Sequence, residues 1–310
     1  MACVRLCFCI VCKTHRCIWL HSLKVCWRCD ATMGSLGLLM CFLNLLGGWL
    51  VTIGTVVPWT VAPELSRLLG FHMLYTIAID LLHVFHLGIA RDLLGTALKL
   101  LIRDKDFFPG RTIQLRMKSA SLSVQRFAKD NGLQLRLKNL SHKRLQWEQY
   151  PMLRCKGSDC MVYLAWLAWL VQQPGNERCP KLSTCLWASH GCVNIFHRGG
   201  IFLTSAEANE AHRLGMLYLN TYIFLAELAL RENKQFYKIR PKLHLFHHII
   251  LDMQTRKSLR NPFNDSCWAD EDMIGRMMRI TSKTHVVTSA LRSLQRYLLQ
   301  LPRKLASYVY

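Results

Sequence analysis

The segment YTIAIDLLHVFHLGIARDLLG, Tyr75 to Gly95, delivers a carboxylate straight out of an apolar run: Asp80 follows Ile77-Ala78-Ile79 directly, and His83 comes three residues later. An ionised carboxylate in such surroundings is costly unless it is paired, hydrogen-bonded or bound to a metal. The fold must therefore bring Asp80 a partner. Tyr75 to Ile79 is short, apolar and partly β-branched, and reads as a buried strand with Asp80 at its carboxyl end. An acid at that position is well placed to hold a metal ion at a sheet edge. A helix is expected from about His83 to Ile102, with Leu87, Leu94, Leu98 and Leu101 at helical spacing.

Two features upstream of this segment bear on compartment and anchoring. Eight of the fourteen cysteines fall between Cys3 and Cys41. The pairs Cys9-x-x-Cys12 and Cys26-x-x-Cys29 have the spacing of a tetrahedral Zn²⁺ site, so residues 1–30 read as a possible zinc knuckle. A chain this long with so few cysteines elsewhere belongs to a reducing compartment rather than among secreted disulfide scaffolds. From Ala31 to Pro63 there is no charged residue, and residues 34–57 are long enough to cross a bilayer as a helix. The flanking Lys and Arg would leave the N-terminus of such a span cytoplasmic. The competing expectations for this stretch are a buried core segment and an inserted one.

Charge speaks to partners. Forty Lys and Arg against nineteen Asp and Glu leave +21, which favours a polyanion such as nucleic acid or an acidic membrane surface. The excess is densest from Lys99 to Arg154, where thirteen basic residues meet four acids. Arg111, Arg116, Lys118, Arg126, Lys129, Arg136, Lys138, Lys143 and Arg144 are the candidate phosphate contacts. Ile113, Leu115 and Met117 alternate with polar residues, as do Leu133, Leu135 and Leu137, and both read as short strands. Between them a basic helix ends at Asn131-Gly132, a good C-cap pair.

The rest of the chain reads as helical. Met161 to Val171 is too short to span a membrane and reads as a core helix. Thr204 and Glu207 form a capping box that opens a long helix to about Arg231. Pro241 starts a helix through about Met253, and Trp268 to Ile280 and His285 to Gln300 give two more.

Two late clusters carry possible chemistry. In CWADEDMIGRMMR, Asp270, Glu271 and Asp272 stand in the first turn of an amphipathic helix, where only one or two of them can face Asp80. Two carboxylates closing on divalent metal would suit two-metal phosphoryl transfer. In KLHLFHHIILD, His244, His248 and Asp252 share one helical face, a pattern able to ligate a transition metal, though without the glutamate of a zincin motif. No Walker A loop, dinucleotide fingerprint, nucleophile elbow or kinase motif set occurs, so no small-molecule cofactor is indicated.

The ordered set of Asp80-x-x-His83 with HLGIARDLLG, then RPKLHLFHH, then WADEDMIGRMMR, resembles the catalytic core of CACTA/Plavaka-type transposases, and is similar to transposase-like reading frames of dinoflagellate genomes. The resemblance covers roughly Trp59 to Tyr297. It implies an α/β remnant of an RNase H-like core with a large, mainly α-helical insertion at about residues 105–240, predominantly α overall, within a domain of residues 64–310. It implies Asp80 as the second acid of a DDE/D set, His83 as its signature histidine and Glu271 as the third acid, with Asp270 and Asp272 as alternates, holding Mg²⁺ or Mn²⁺ for DNA strand transfer. The first acid should lie on an earlier strand, yet residues 1–79 offer only Asp30 and Glu64. The resemblance is therefore to an N-terminally truncated, degenerate descendant that binds nucleic acid in the nucleus. The alternative expectation is a single-pass membrane protein anchored by residues 34–57.

Overall fold

The computed structural model describes residues 78–306 apart from 175, 177, 178 and 256–258. The Cys-rich segment with Cys9, Cys12, Cys26 and Cys29, and the uncharged segment 34–57, lie outside the described residues. The chain divides into two compact units, one of residues 1–78 with Ile223–Asn233 and one of Ile79–Tyr222 with Lys234–Tyr310. Of the first, the described part is essentially the end of one long helix, on which Leu225, Ala226 and Ala229 are buried. The helical body belongs to the second unit.

The described residues are predominantly helical, with no strand among them and a single isolated bridge between Phe202 and Arg260. A π-helical segment, Leu82–Ile89, runs directly into α1 (Ala90–Arg103). Most of α1 is buried, including Leu93, Leu94, Ala97, Leu98, Leu101 and Ile102, so it forms the central rod of the core. Around it pack α2 (Ile113–Asp130), the short α3 (His142–Leu145) and α4 (Gly157–Leu170), with α5 (Pro180–Arg198) against α4. The π segment is flanked by α4 and by α7 (Pro241–Thr255). Between these come α6 (Ser205–Arg231) and, at the end, α8 (Trp268–Thr281) and α9 (Ser289–Ala306), which pack on each other.

Local sequence explains most of these elements. In α4 the Met161–Val171 run is apolar on every side, and Tyr163, Leu164, Trp166 and Leu167 are fully or almost fully buried. At the start of α6, Glu207 accepts from the Thr204 N–H (2.8 Å) while Thr204 Oγ1 accepts from the Glu207 N–H (3.2 Å), the reciprocal box that the spacing predicts. Gly95 lets the loop at Pro151-Met152 cross α1 closely, since a Cβ there would stand 2.4 Å from the Met152 backbone. Leu153 N–H then bonds the Arg91 carbonyl (3.0 Å).

Two of the expected strands are helix or irregular chain instead. Ile113, Leu115 and Met117 lie in the first turns of α2, whose buried residues Met117, Ala120, Ser121, Val124 and Ala128 make a helical stripe, with Leu115 left 50% exposed. Three alternating residues could not outweigh eighteen with helical period. The C-cap falls at Asn131, with Gly132 in the left-handed region at φ +65. Leu133 to Leu137 is irregular because side chains take its backbone groups. Asp159 Oδ1 accepts from the N–H of Arg136 (2.7 Å) and Leu137 (3.1 Å), and the Tyr163 hydroxyl donates to the Leu137 carbonyl (2.9 Å). Ala78 to Asp80 carry no strand either, and Tyr75 to Ile77 lie outside the described residues. Among the described residues no helix is long and apolar enough to cross a membrane.

Candidate functional site

Asp80 stands where irregular chain turns into the π segment, and its carboxylate is heavily engaged. Oδ1 accepts from the backbone N–H of Leu82 (2.9 Å) and, across the fold, from that of Cys267 (3.2 Å), 187 residues later in sequence. Oδ2 meets His83 Nδ1. The other ring nitrogen, Nε2, lies 3.0 Å from Glu271 Oε1 on α8. One imidazole therefore joins two carboxylates that are distant in sequence. Each ring nitrogen thus has a carboxylate oxygen as its partner. Burial works to raise the Asp80 pKa, but the His83 bond, the Cys267 N–H, the His83 charge and the Leu82 N–H together outweigh it and hold the carboxyl below its usual range.

Backbone irregularity shapes the site. Gly88 leaves helical geometry (φ −118, ψ −108), and a Cβ there would stand 2.7 Å from Lys242 Cδ. The space lets Lys242 of α7 reach in and donate to the His83 carbonyl (2.7 Å). Wide π turns of this kind recur where a helix serves a site rather than only a core.

Below the triad lies an aromatic floor. His86, fully buried, meets His197 of α5 Nε2 to Nε2 at 2.9 Å, and its ring stands edge-on to Trp268 (5.2 Å). His197 packs on Phe263 (4.5 Å between centroids). Burial, helped by the neighbouring His197, drives the His86 pKa to about 3, and burial drives His197 to about 4. Both rings are neutral at pH 7, one donating to the other. The Cys267 thiol is pushed up to about 11, first by burial and then by Asp80 and Asp270, so it is not a thiolate nucleophile at neutral pH.

The other sequence candidates distribute as follows. Asp270 and Asp272 are exposed, and Asp272 pairs with Arg276 one turn on. On α7, His244 and His248 meet Nε2 to Nε2 at 2.9 Å, and burial lowers both, His248 to about 3. Asp252 is half-buried on the same helix. Among the described residues no three His, Cys, Asp or Glu side chains converge to hold a metal ion. Arg111, Lys118, Arg126, Lys129, Arg136, Lys138, Lys143 and Arg144 are exposed. Arg116 is not: it is 5% exposed, turned inward beside Met117, and this corrects its assignment as a phosphate contact.

Mg²⁺ and Mn²⁺ take hard oxygen donors, which Asp80 and Glu271 supply by type. By placement the two do not fit a shared ion. Asp80 already accepts three hydrogen bonds, and the His83 ring fills the space between the acids. As placed, the two acids share an imidazole rather than a metal.

Sequence reasoning passed over His86, His197, Cys267, Trp268 and Lys242. His86 follows His83 at helical spacing and was open to notice. The others carry no local signal, since only the chain fold brings them in.

No protein-family model, no curated protein and no solved structure matches the chain.

Proposed function

We propose that the chain is a transposase-derived protein, a remnant of an RNase H-like core of the CACTA/Plavaka type, whose surviving activity is nucleic-acid binding. In this reading Asp80 and Glu271 have passed from metal ligation to an ionic latch through His83, and strand transfer is lost. The order of the motifs along the chain and the meeting of Asp80, His83 and Glu271 support the ancestry. The observation that carries the binding reading is the solvent-facing row of basic residues on α2 and the loop after it. Lys118, Arg126 and Lys129 share one exposed face of α2, and Arg136, Lys138, Lys143 and Arg144 continue it in sequence. Such a surface grips phosphates and releases counterions, which makes binding steeply salt-dependent and little dependent on sequence.

The test is fluorescence anisotropy of labelled duplex DNA at several salt concentrations, with wild type and a Lys118→Gln/Arg126→Gln/Lys129→Gln variant. Wild type should bind with a log–log salt slope of about −5, and the variant should lose roughly tenfold in affinity and about 2–3 in slope. Binding that ignores salt, or a variant indistinguishable from wild type, would reject the surface.

A further inference from the structure

Outside that surface, positive charge also gathers among the described residues at the C-terminal hairpin. Between α8 and α9 is a cleft of about 360 Å³, lined by Arg276, Arg279, Ile280 and Lys283 on one side and Arg296, Tyr297 and Gln300 on the other. The spacing of the first four places them on one face of α8 and its continuation, and 296, 297 and 300 fall on one face of α9. None of the described lining residues is acidic.

Two contacts build the cleft. The Thr281 and Ser293 hydroxyls bond at 2.9 Å between the two helices, and Ser293 and Ile280 are buried. Arg296 Nη1 donates to the Lys283 carbonyl (2.8 Å), which ties this exposed guanidinium across the mouth of the cleft to the end of α8. Asp272 pairs with Arg276, so one of the four cations has a carboxylate partner at the rim. A helix C-terminus favours a cation or two through its dipole. It does not call for four around one cavity, where they repel each other unless an anion enters. Tyr297, half-buried, adds a flat apolar wall next to the guanidinium groups. Cations beside an aromatic face are the two parts of a single-strand site: the cations take the phosphate and the ring takes the base.

We propose that the α8–α9 cleft binds a phosphodiester of single-stranded nucleic acid, with Arg279, Lys283 and Arg296 on the phosphate and Tyr297 stacked on the adjoining base. The proposal rests on the reading that this chain binds nucleic acid, and adds to it a second site that prefers single strands. The site is carried on the helix that holds Glu271, so α8 presents an acid latch at its first turn and a phosphate cleft at its last.

The full chain is titrated against labelled oligothymidylate and labelled duplex, with sodium phosphate as competitor. Four proteins are compared with wild type: Arg279→Gln/Lys283→Gln, the charge-preserving Arg279→Lys/Lys283→Arg, Tyr297→Leu, and the α2 triple variant. The Gln pair should bind oligothymidylate roughly tenfold more weakly, with a slope shallower by about 1.4, while the charge-preserving pair stays near wild type. Tyr297→Leu should weaken single-strand binding several-fold with its slope and its duplex affinity unchanged. A Gln pair equal to wild type in affinity and slope overturns the cleft, and loss confined to the α2 variant then leaves the surface reading standing. Loss in the Gln pair with none in the α2 variant keeps the cleft and removes that surface. If inorganic phosphate saturates the wild-type cleft as tightly as oligothymidylate does, the site takes a free small anion and the nucleic-acid assignment falls. The charge-preserving pair losing binding as fully as the Gln pair would also overturn it, because lost shape rather than lost charge would then be the cause.

Discussion

His86 shows how one residue sets a property of the whole chain. Its ring has no access to solvent, and the groups that face it are His197, Phe85, Trp268 and, at longer range, Asp80. Burial first and His197 second keep it neutral in the fold down to about pH 3, while in the unfolded chain it takes a proton near pH 6.5. Below pH 6.5 the unfolded state therefore binds more protons, so stability is fully present above that pH and falls as the pH drops toward 3. His197, His247 and His248, also lowered by burial, act in the same direction. Asp92, raised to about 6 by burial that its partner Arg240 only partly offsets, opposes them, since the folded chain takes up that proton first as the pH falls below 6. Urea unfolding at pH 7 and pH 5 should show a net loss at pH 5, with about 1–2 kcal/mol of it due to His86. His86→Gln should flatten the dependence by that amount, and an unchanged pH profile would mean the ring is not held neutral.

At the scale of elements, Gly157 at the start of α4 is the point where the π segment and the first turn of α8 come closest to α4. A Cβ at this position would stand 2.7 Å from both Leu82 Cδ1 of the π segment and Trp268 Cη2 of α8, so the absence of a side chain is what lets three elements meet. Gly157→Ala should cost about 1–3 kcal/mol by overpacking. It should also move Trp268, and with it Glu271, away from His83. Indole fluorescence and thermal unfolding measure the two effects, and a variant with wild-type Tm would show that α8 docks by other contacts. The alternation in α2 at Ile113, Leu115 and Met117 suggested a strand only because the window was short. Over the whole element the buried residues Met117, Ala120, Val124 and Ala128 have the period of a helix. Local capping at Thr112 and Asn131 agrees with that longer pattern.

For the whole molecule, the decisive fact is that α8 returns the chain to Asp80 after the entire helical body has intervened. The Cys267 N–H and Glu271 both arrive from that return, and His83 sits between the acids. In this arrangement the two carboxylates meet on one imidazole ring, one at each nitrogen, rather than around a shared open point. Calorimetric titration of the full chain with Mn²⁺ should accordingly give no saturable binding lost in an Asp80→Ala/Glu271→Ala variant. Labelled DNA should stay uncut with Mn²⁺ present. Tight binding abolished by that double substitution would show that His83 swings aside and that the acids still serve a metal.

How much of this was legible beforehand differs by feature. The amino-acid sequence alone placed the helices at 83–102, 161–171, 204–231, 241–253 and 268–280 to within a few residues, because caps, period and apolar content are properties of neighbours in the chain. It also required a partner for Asp80, since a carboxylate among apolar residues demands one whatever the fold. It could not show that the demand is met by His83 and two backbone N–H groups, one of them from Cys267, nor that Glu271 rather than Asp270 or Asp272 reaches the ring. Nor could it show that Arg116 turns inward while Lys118, two residues on, faces solvent. Those outcomes depend on which helix faces lie against one another, and that is fixed by packing between segments far apart in the chain, of which no stretch of sequence carries a local record.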